Sequence, residues 1–281
     1  MSRPRPTRAD RLERRLEMRD LLRRIAMMAL PAFMSSLLVY LMNLLNYVIL
    51  AAFSNYTSIA SYGIVYSYTN LSAGFFVPLT MGTGYMLERM KKENDNHKFQ
   101  SVVNTMLLFS ILFGIASTLF AYFIAPAYIW QVVTPEEIKE MTTMFLRFFS
   151  LTFVPILYFS ISTTVLIQSG ERTAPILSEI SALALHAGFS YIFVGLFHWD
   201  IRGIAISAIV AQTVGSLINT YQLVQLRQKS IVRPSLRIDW SILRELNREE
   251  RTVVFTAFFG GVFTIFLQFF IDELGIPTIA A

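Results

Sequence analysis

Three polar residues lie at helical spacing within an otherwise apolar part of the chain: Glu179, His186 and Ser190. Separations of seven and four residues place all three on one face of an α-helix. Free histidine titrates near neutral pH and can carry a proton. An ionisable group inside a bilayer costs at least about 2.5 kcal/mol, so it marks a functional site by default. Two structural alternatives stay open: Glu179 reaches the membrane interface, and His186 hydrogen-bonds a neighbouring helix.

A second polar pair, Asn43 and Asn46, is spaced by three residues and shares a helix face with Tyr47. Buried amides can bind a substrate or complete the shell of a cation, or they can simply hold two helices together. An amide does not titrate, so proton coupling would need a different group. Small hydroxyl residues such as Ser162, Thr163 and Ser207 pack helices closely more often than they line a cavity.

These polar groups are carried by long stretches without charge. No Asp, Glu, Lys or Arg occurs in residues 25–87 or 99–134. A helix needs about 20 apolar residues to cross the hydrocarbon core of a bilayer. The chain is therefore predicted to be an all-α, polytopic transmembrane helical bundle.

The bulk composition excludes several classes of protein. Charged residues make up 15% of the chain, against about 25% in soluble proteins, and the mean hydropathy is +0.51. Cysteine is absent, which excludes disulfides and thiolate metal sites. No nucleotide-binding loop, zinc-protease helix or nucleophile elbow occurs, so an enzyme is not predicted. The net charge of +5 is concentrated in the N-terminal arm and two loops, which favours contact with anionic lipid over nucleic acid.

Seven spans can be placed between the charged segments. They are residues 25–53, 58–87, 99–132, 145–169, 175–197, 203–226 and 252–271. The basic residues orient them, because 21 of the 24 Lys and Arg lie on the N-terminal side and only Lys139, Arg147 and Arg202 lie opposite. The positive-inside rule then places the N-terminus in the cytoplasm.

Four segments, in order, resemble the multidrug and toxic compound extrusion (MATE) transporters. The first helix carries Ala29-Leu30-Pro31, Ser35-Ser36 and Asn43-Leu44-Leu45-Asn46; the others are Ile59-Ala60-Ser61-Tyr62-Gly63, the turn Gln168-Ser169-Gly170-Glu171-Arg172-Thr173-Ala174-Pro175, and Gly203-Ile204-Ala205-Ile206-Ser207-Ala208. Such transporters have twelve helices in two lobes of six. The resemblance implies one six-helix MATE-like lobe plus one further helix.

That architecture predicts four parts: a basic cytoplasmic arm at 1–24, the N-terminal lobe at 25–226, a basic cytoplasmic linker at 227–251, and the first helix of an incomplete second lobe at 252–281. We expect a truncated transporter. A natural single-lobe protein that self-associates is the alternative.

The resemblance also exposes a departure from the family. Many prokaryotic members carry Asp where Asn46 stands, and Asn and Asp where His186 and Ser190 stand; those carboxylates are tied to sodium or proton coupling. Coupling here would run through Glu179 and His186, through the second lobe, or would be lost. No cofactor is expected beyond a coupling ion, H+ or Na+.

The function implied by the resemblance is secondary active efflux of cationic or amphipathic small molecules by proton or sodium antiport, as a multi-pass protein of the plasma membrane. The expected partners are a small-molecule substrate and membrane lipid. Two alternatives stay open: a lipid-linked flippase of the same superfamily, and a non-transporting fragment.

Overall fold

A computed structural model describes residues 37, 40–132, 136–171, 173–228, 238–249, 259 and 263. The regular structure of these residues is helical throughout, which confirms the predicted all-α class. The chain divides into two units, 1–41 and 42–281, and the packing described below lies within the second.

The helices follow one another with short connections. They are α1 Tyr40–Phe53, α2 Tyr56–Lys92, α3 Asn96–Phe123, α4 Ala125–Val132, α5 Glu136–Ser150, α6 Phe153–Gln168, α7 Thr173–Ser190, a π-helical turn Tyr191–Leu196, α8 Ile201–Gln228 and α9 Trp240–Glu249. Among the described residues, α3, α7 with its π turn, and α8 are long and apolar enough to cross a membrane, and the bent pair α5–α6 makes a fourth candidate.

The predicted third span, 99–132, is two helices rather than one. Pro126 has no N–H for the carbonyl of Tyr122, and its ring would clash with that carbonyl, so α3 ends at Phe123. The Ile124 N–H still bonds Phe120 at 2.9 Å, and the Ala127 N–H returns to Ile124 at 3.0 Å. The prediction of one continuous helix over 99–132 was wrong because it gave this proline no weight.

The predicted fourth span, 145–169, crosses a second break. Helices α5 and α6 are bent by 41° where they meet, and Pro155 in the first turn of α6 excludes a regular bond to the Leu151 carbonyl. Nearby backbone carbonyls find other donors, because Thr118 of α3 donates to Ser150 at 2.9 Å. Ser216 of α8 donates to the carbonyl of Pro155 at 3.0 Å.

The other spans were predicted more closely. The fifth and sixth, 175–197 and 203–226, match α7 with its π turn and α8 to within a few residues. The second, 58–87, lies inside the longer α2, and the first ends at Phe53 as predicted. The seventh, 252–271, and the start of the first fall outside the described residues, apart from Phe259 and Phe263.

Helix α9 was not predicted, because its residues fall in the expected basic linker. It packs Ile242 and Leu246 into a core cluster formed by the end of α2, the start of α3, and α6 and α8. A second core cluster joins α1, the first half of α2, α5 and the start of α8. The second cluster holds α1, α2 and α8, three of the helices whose polar residues form the candidate site.

Candidate functional site

The centre of the candidate site is a contact between α1 and α7. Nε2 of His186 lies 2.6 Å from Oδ1 of Asn46. Both side chains are buried, with His186 fully enclosed and Asn46 exposed by only 4%. Two residues singled out independently in the sequence therefore meet inside the helical bundle.

The hydrogen bonds beyond this contact have a defined direction. The hydroxyl of Tyr62 donates to Oδ1 of Asn43 at 2.8 Å. It accepts from Nδ2 of Asn46 at 3.0 Å. With this orientation of the Asn46 amide, Oδ1 is left as the acceptor, and His186 donates through Nε2 as the Nε2–H tautomer.

A pair of hydroxyls continues the polar path towards α8. Ser207 donates to the Ile204 carbonyl at 2.9 Å. Its oxygen lies 2.6 Å from Oγ of Ser190, so Ser190 donates to it. Ser190 also lies 3.5 Å from Nε2 of His186. Both serines are fully buried, and the polar chain thus joins α1, α2, α7 and α8.

Aromatic packing fixes the hydroxyl of Tyr62. Its ring meets Tyr47 edge-on with centroids 4.9 Å apart, stacks on Tyr66 at 6.3 Å, and lies 5.9 Å from Phe145. A ring held from three sides has little freedom to turn its hydroxyl away. The Asn43 and Asn46 amides therefore hydrogen-bond a hydroxyl group that is held in place.

A close approach of the π-helical turn to α8 positions the serine pair. A Cβ on Gly203 would lie 2.9 Å from Cβ of Phe193 and 2.9 Å from Cγ2 of Val194. Only glycine leaves room for this approach. Ser207 lies one turn further along the same face of α8, which brings it within reach of Ser190.

One polar atom of the site is unused. Nδ1 of His186 is buried and has no hydrogen-bond partner among the described residues. In the Nε2–H tautomer this nitrogen carries a lone pair, so it can accept a proton or a hydrogen bond from a bound group. The site therefore has one ring nitrogen without a partner and several neutral oxygens, and the described residues place no carboxylate within its hydrogen-bonded chain.

Four of the five predicted site residues are brought together: Asn43, Asn46, His186 and Ser190. Glu179 shares α7 and is half-buried, but it lies seven residues from His186, about 10 Å along the helix axis. The structural alternative for His186, a bond to a neighbouring helix, describes its contact with Asn46.

Sequence reasoning missed Tyr62 as a member of the site, although it noticed the surrounding motif. The available signal was a tyrosine directly after Ser61, near the start of a predicted span. Other hydroxyl residues hold helices together as expected, because Asn219 of α8 donates to Oγ of Ser162 at 3.0 Å and to Oγ1 of Thr163 at 2.9 Å.

A separate cavity of about 500 Å³ lies between α5, the end of the π turn and the start of α8. It is lined by Met141, Met144, Phe148, His198, Trp199, Asp200, Ile201, Arg202 and Ile206. Asp200 is anchored at its edge, since Oδ2 accepts from Ser58 of α2 at 2.9 Å.

The fold is similar to that of solved transporters. An outward-facing multidrug resistance MATE family transporter of the MOP superfamily aligns with a TM-score of 0.74 and 17% identity, over 82% of this chain and 51% of that chain. An inward-facing structure described in the same words aligns with a TM-score of 0.74 and 18% identity, over 85% and 55%. The chain spans about half the length of these transporters.

A MOP superfamily transporter from Pyrococcus furiosus, described as having a binding pocket of reverse polarity, aligns with a TM-score of 0.74 and 17% identity, over 82% of this chain and 51% of that one. No curated protein matches the sequence significantly.

The family itself is established by the sequence. A family model for MatE matches residues 31–192, which is more than half of the 281 residues. The matched range contains Asn43, Asn46, Tyr62, His186 and Ser190. The resemblance to MATE transporters is confirmed, and the chain belongs to the MatE family.

Proposed function

We propose that the chain serves secondary active transport, exporting cationic or amphipathic small molecules against the entry of protons or sodium ions. The observation that carries the proposal is the buried polar chain from Asn43 through Tyr62 and Asn46 to His186. Polar groups are rare inside apolar helices and are retained where transport or coupling uses them.

The chemistry of this chain favours the proton as the coupling ion. The positions where many family members carry carboxylates hold Asn46 and Ser190, neither of which titrates near neutral pH. His186 is the imidazole that joins them, and its Nδ1 is available to take a proton. Sodium is the alternative, because the amide and hydroxyl oxygens of Asn43, Asn46 and Ser190 are ligands that a hard cation accepts.

Glu179 is proposed as a second proton-carrying group nearer the cytoplasmic end of α7. A proton released from His186 towards that side would have to pass along or beside α7. The half-buried carboxylate of Glu179, about two helical turns away, is suited to receive it by way of water.

The proposed setting is the plasma membrane, with the N-terminal arm in the cytoplasm. A second wall for a substrate cavity would come from a second lobe or from self-association, because alternating access needs one repeat to move against another. Membrane lipid and a small-molecule substrate are the proposed partners.

The test is efflux of a fluorescent organic cation from transporter-deficient cells that express the gene encoding this chain, with pH and sodium gradients imposed separately. We expect His186→Gln and Glu179→Gln each to abolish pH-driven efflux at normal expression. His198→Gln, which removes an imidazole from the separate cavity, is the matched control and should retain it.

Asn46→Ala should change substrate affinity or folding and leave the response to pH in place, because an amide carries no proton. Normal pH-dependent efflux by both His186→Gln and Glu179→Gln, together with loss of efflux in Asn46→Ala, would contradict proton coupling through α7. Efflux that responds only to the sodium gradient would replace the proton by sodium.

A further inference from the structure

Helix α9 lies antiparallel to the beginning of α3, in a fixed register. The backbone N–H of Asp239 donates to Oγ1 of Thr105 at 3.1 Å. Six residues later, Oε2 of Glu245 lies 3.4 Å from Nζ of Lys98, seven residues earlier in α3. These two contacts set the level of each α9 residue along α3.

The inner face of α9 packs against the helical bundle. Ile242 and Leu246 are buried in the core cluster below it. The guanidinium of Arg89, at the end of α2, donates a hydrogen bond to the Glu245 carboxylate. The helix is therefore attached by both apolar contacts and charges, and its opposite face points away from the bundle.

The outer face of α9 carries an aromatic residue followed by two arginines at four-residue spacing: Trp240, Arg244 and Arg248. Trp240 is 71% exposed, and both arginines are exposed. Within the described part of the chain neither arginine forms an ion pair. Of the carboxylates described near this face, Glu245 pairs inward, and Asp239 accepts from the N–H and hydroxyl of Ser241.

The register places this face beside the start of the charge-free run of α3. Lys98 is the last charged residue before the charge-free run 99–134, and Thr105 lies about 10 Å further along α3. Trp240 therefore lies beside the first turns of the apolar run, where tryptophan is enriched in membrane proteins. Arg248, about 13 Å from Asp239 along α9, reaches the level of Lys98 or beyond.

We propose that the outer face of α9 binds the headgroups of anionic phospholipids, with Trp240 at the boundary of the acyl chains and Arg244 and Arg248 on the phosphates. Tryptophan at the level of the interface and basic residues towards the headgroups are the arrangement by which membrane proteins meet anionic lipid. Each arginine should enrich the anionic lipid beside α9 about fivefold. The attraction of one basic side chain to an anionic membrane surface corresponds to about that change in an equilibrium constant.

The test uses fluorescence of Trp240 in the full chain. Trp130→Phe and Trp199→Phe leave it as the single tryptophan of the three. The protein is reconstituted into two sets of vesicles, each of which contains equal amounts of phosphatidylglycerol and phosphatidylcholine. Bromine is carried by the phosphatidylglycerol in one set and by the phosphatidylcholine in the other, so only the identity of the quencher differs. The lipids are the same in both leaflets, which makes the result independent of orientation and of transport.

We expect stronger quenching, for the same mole fraction of brominated lipid, when the bromine is on phosphatidylglycerol. Arg244→Gln with Arg248→Gln should remove this preference, and the corresponding Lys variants should keep it. Arg147→Gln with Arg202→Gln removes the same charge from other helices and should also keep it.

Three results would overturn the proposal: equal quenching by the two brominated lipids, absence of quenching by either, or a preference that survives the loss of Arg244 and Arg248. The comparison of the two lipids in the single-tryptophan protein decides the question even where the double arginine variant fails to fold.

Discussion

His186 and Asn46 are 140 residues apart in the chain, yet Nε2 of one lies 2.6 Å from Oδ1 of the other. This contact ties α7 to α1 directly. Through the second atom of the Asn46 amide it also ties both helices to Tyr62 of α2. A single amide thus connects three helices by opposite ends of one planar group.

Removal of the Tyr62 hydroxyl should destabilise the protein. Tyr62→Phe leaves Nδ2 of Asn46 and Oδ1 of Asn43 without the partner they share, at a cost of about 1 kcal/mol, typical of buried hydrogen bonds between membrane helices. Tyr66→Phe makes the same chemical change on the neighbouring ring, which stacks on Tyr62, and should be close to neutral. Thermal unfolding in detergent compares the two, and equal shifts would show that the hydroxyl contributes nothing.

The tautomer of His186 can be measured directly. The donor directions require a proton on Nε2 and a bare Nδ1, because Asn46 presents Oδ1 to the ring. Nitrogen NMR of a protein labelled at histidine, with His97→Gln and His198→Gln to leave one imidazole, should give the Nε2–H signature. An Nδ1–H signature would mean that the Asn46 amide lies the other way round.

Substitution of Gly114 should be more harmful than substitution of Gly188. A Cβ at Gly114 would lie 2.8 Å from Cα of Val154, a backbone atom of α6, so Gly114→Ala should cost about 1 to 3 kcal/mol through overpacking. Gly188 in α7 has open space around it, and Gly188→Ala should be neutral or stabilise by up to about 1 kcal/mol through helix propensity. Thermal stability in detergent ranks the two variants, and the reverse order would contradict the close packing of α3 on α6.

The attachment of α9 should depend on pH through Glu245. The hydrogen bond from Arg89 holds the pKa of the Glu245 carboxyl below the ordinary value of 4.5, and Lys98 adds to the effect. A pKa that is lower in the folded state contributes stability that is present above 4.5 and is lost as the pH falls through the lowered value. The unfolding midpoint of the wild type should therefore exceed that of Glu245→Gln at pH 7, with the difference shrinking in acid.

Glu93→Gln provides the matched control for that prediction. It removes the same charge from a side chain that is 56% exposed and 3.8 Å from Arg89, where an ion pair contributes little. A difference between wild type and Glu245→Gln that does not change between pH 7 and acid would rule out the ionised carboxylate as its source.

The orientation predicted from the basic residues has its own test. A reporter fused at Asn94, between α2 and α3, should be cytoplasmic, and one at Glu137, at the start of α5, should be external. The reason is the imbalance of 21 basic residues on one side to three on the other. The opposite labelling would reverse the orientation, and residues 227–251, which include α9, would then lie on the external side.

Most of the helices and most members of the site could be predicted from the sequence, because a polar residue in a charge-free run is conspicuous. Asn46 and His186 were chosen for that reason. Their contact could not be predicted, since it depends on how α1 and α7 pack, and helical periodicity carries no information about partners. Tyr62 was overlooked because tyrosine is common in apolar helices.

The two helix breaks and α9 were missed for a different reason. Pro126 and Pro155 were visible, but proline is tolerated within membrane helices when freed carbonyls find other donors. Such donors, including Thr118, come from distant parts of the chain. For α9 the sequence signal of a helix was short: Asp239 precedes the first turn, and Ile242, Leu243 and Leu246 follow at helical spacing. The surrounding basic residues suggested a linker instead.

Because Asn46 lies in the middle of the polar network, the hydrogen bonds of this network can run in either of two opposite directions. If the amide of Asn46 turns over, its oxygen faces Tyr62 and its nitrogen faces His186. The Tyr62 hydroxyl must then donate to Asn46, the Asn43 amide must turn as well, and the proton of His186 must lie on Nδ1. Both arrangements keep the three contacts that link Asn43 through Tyr62 and Asn46 to His186, and they require opposite tautomers of His186. The orientation of the Asn46 amide and the tautomer of His186 are thus set together, so neither can change without the other.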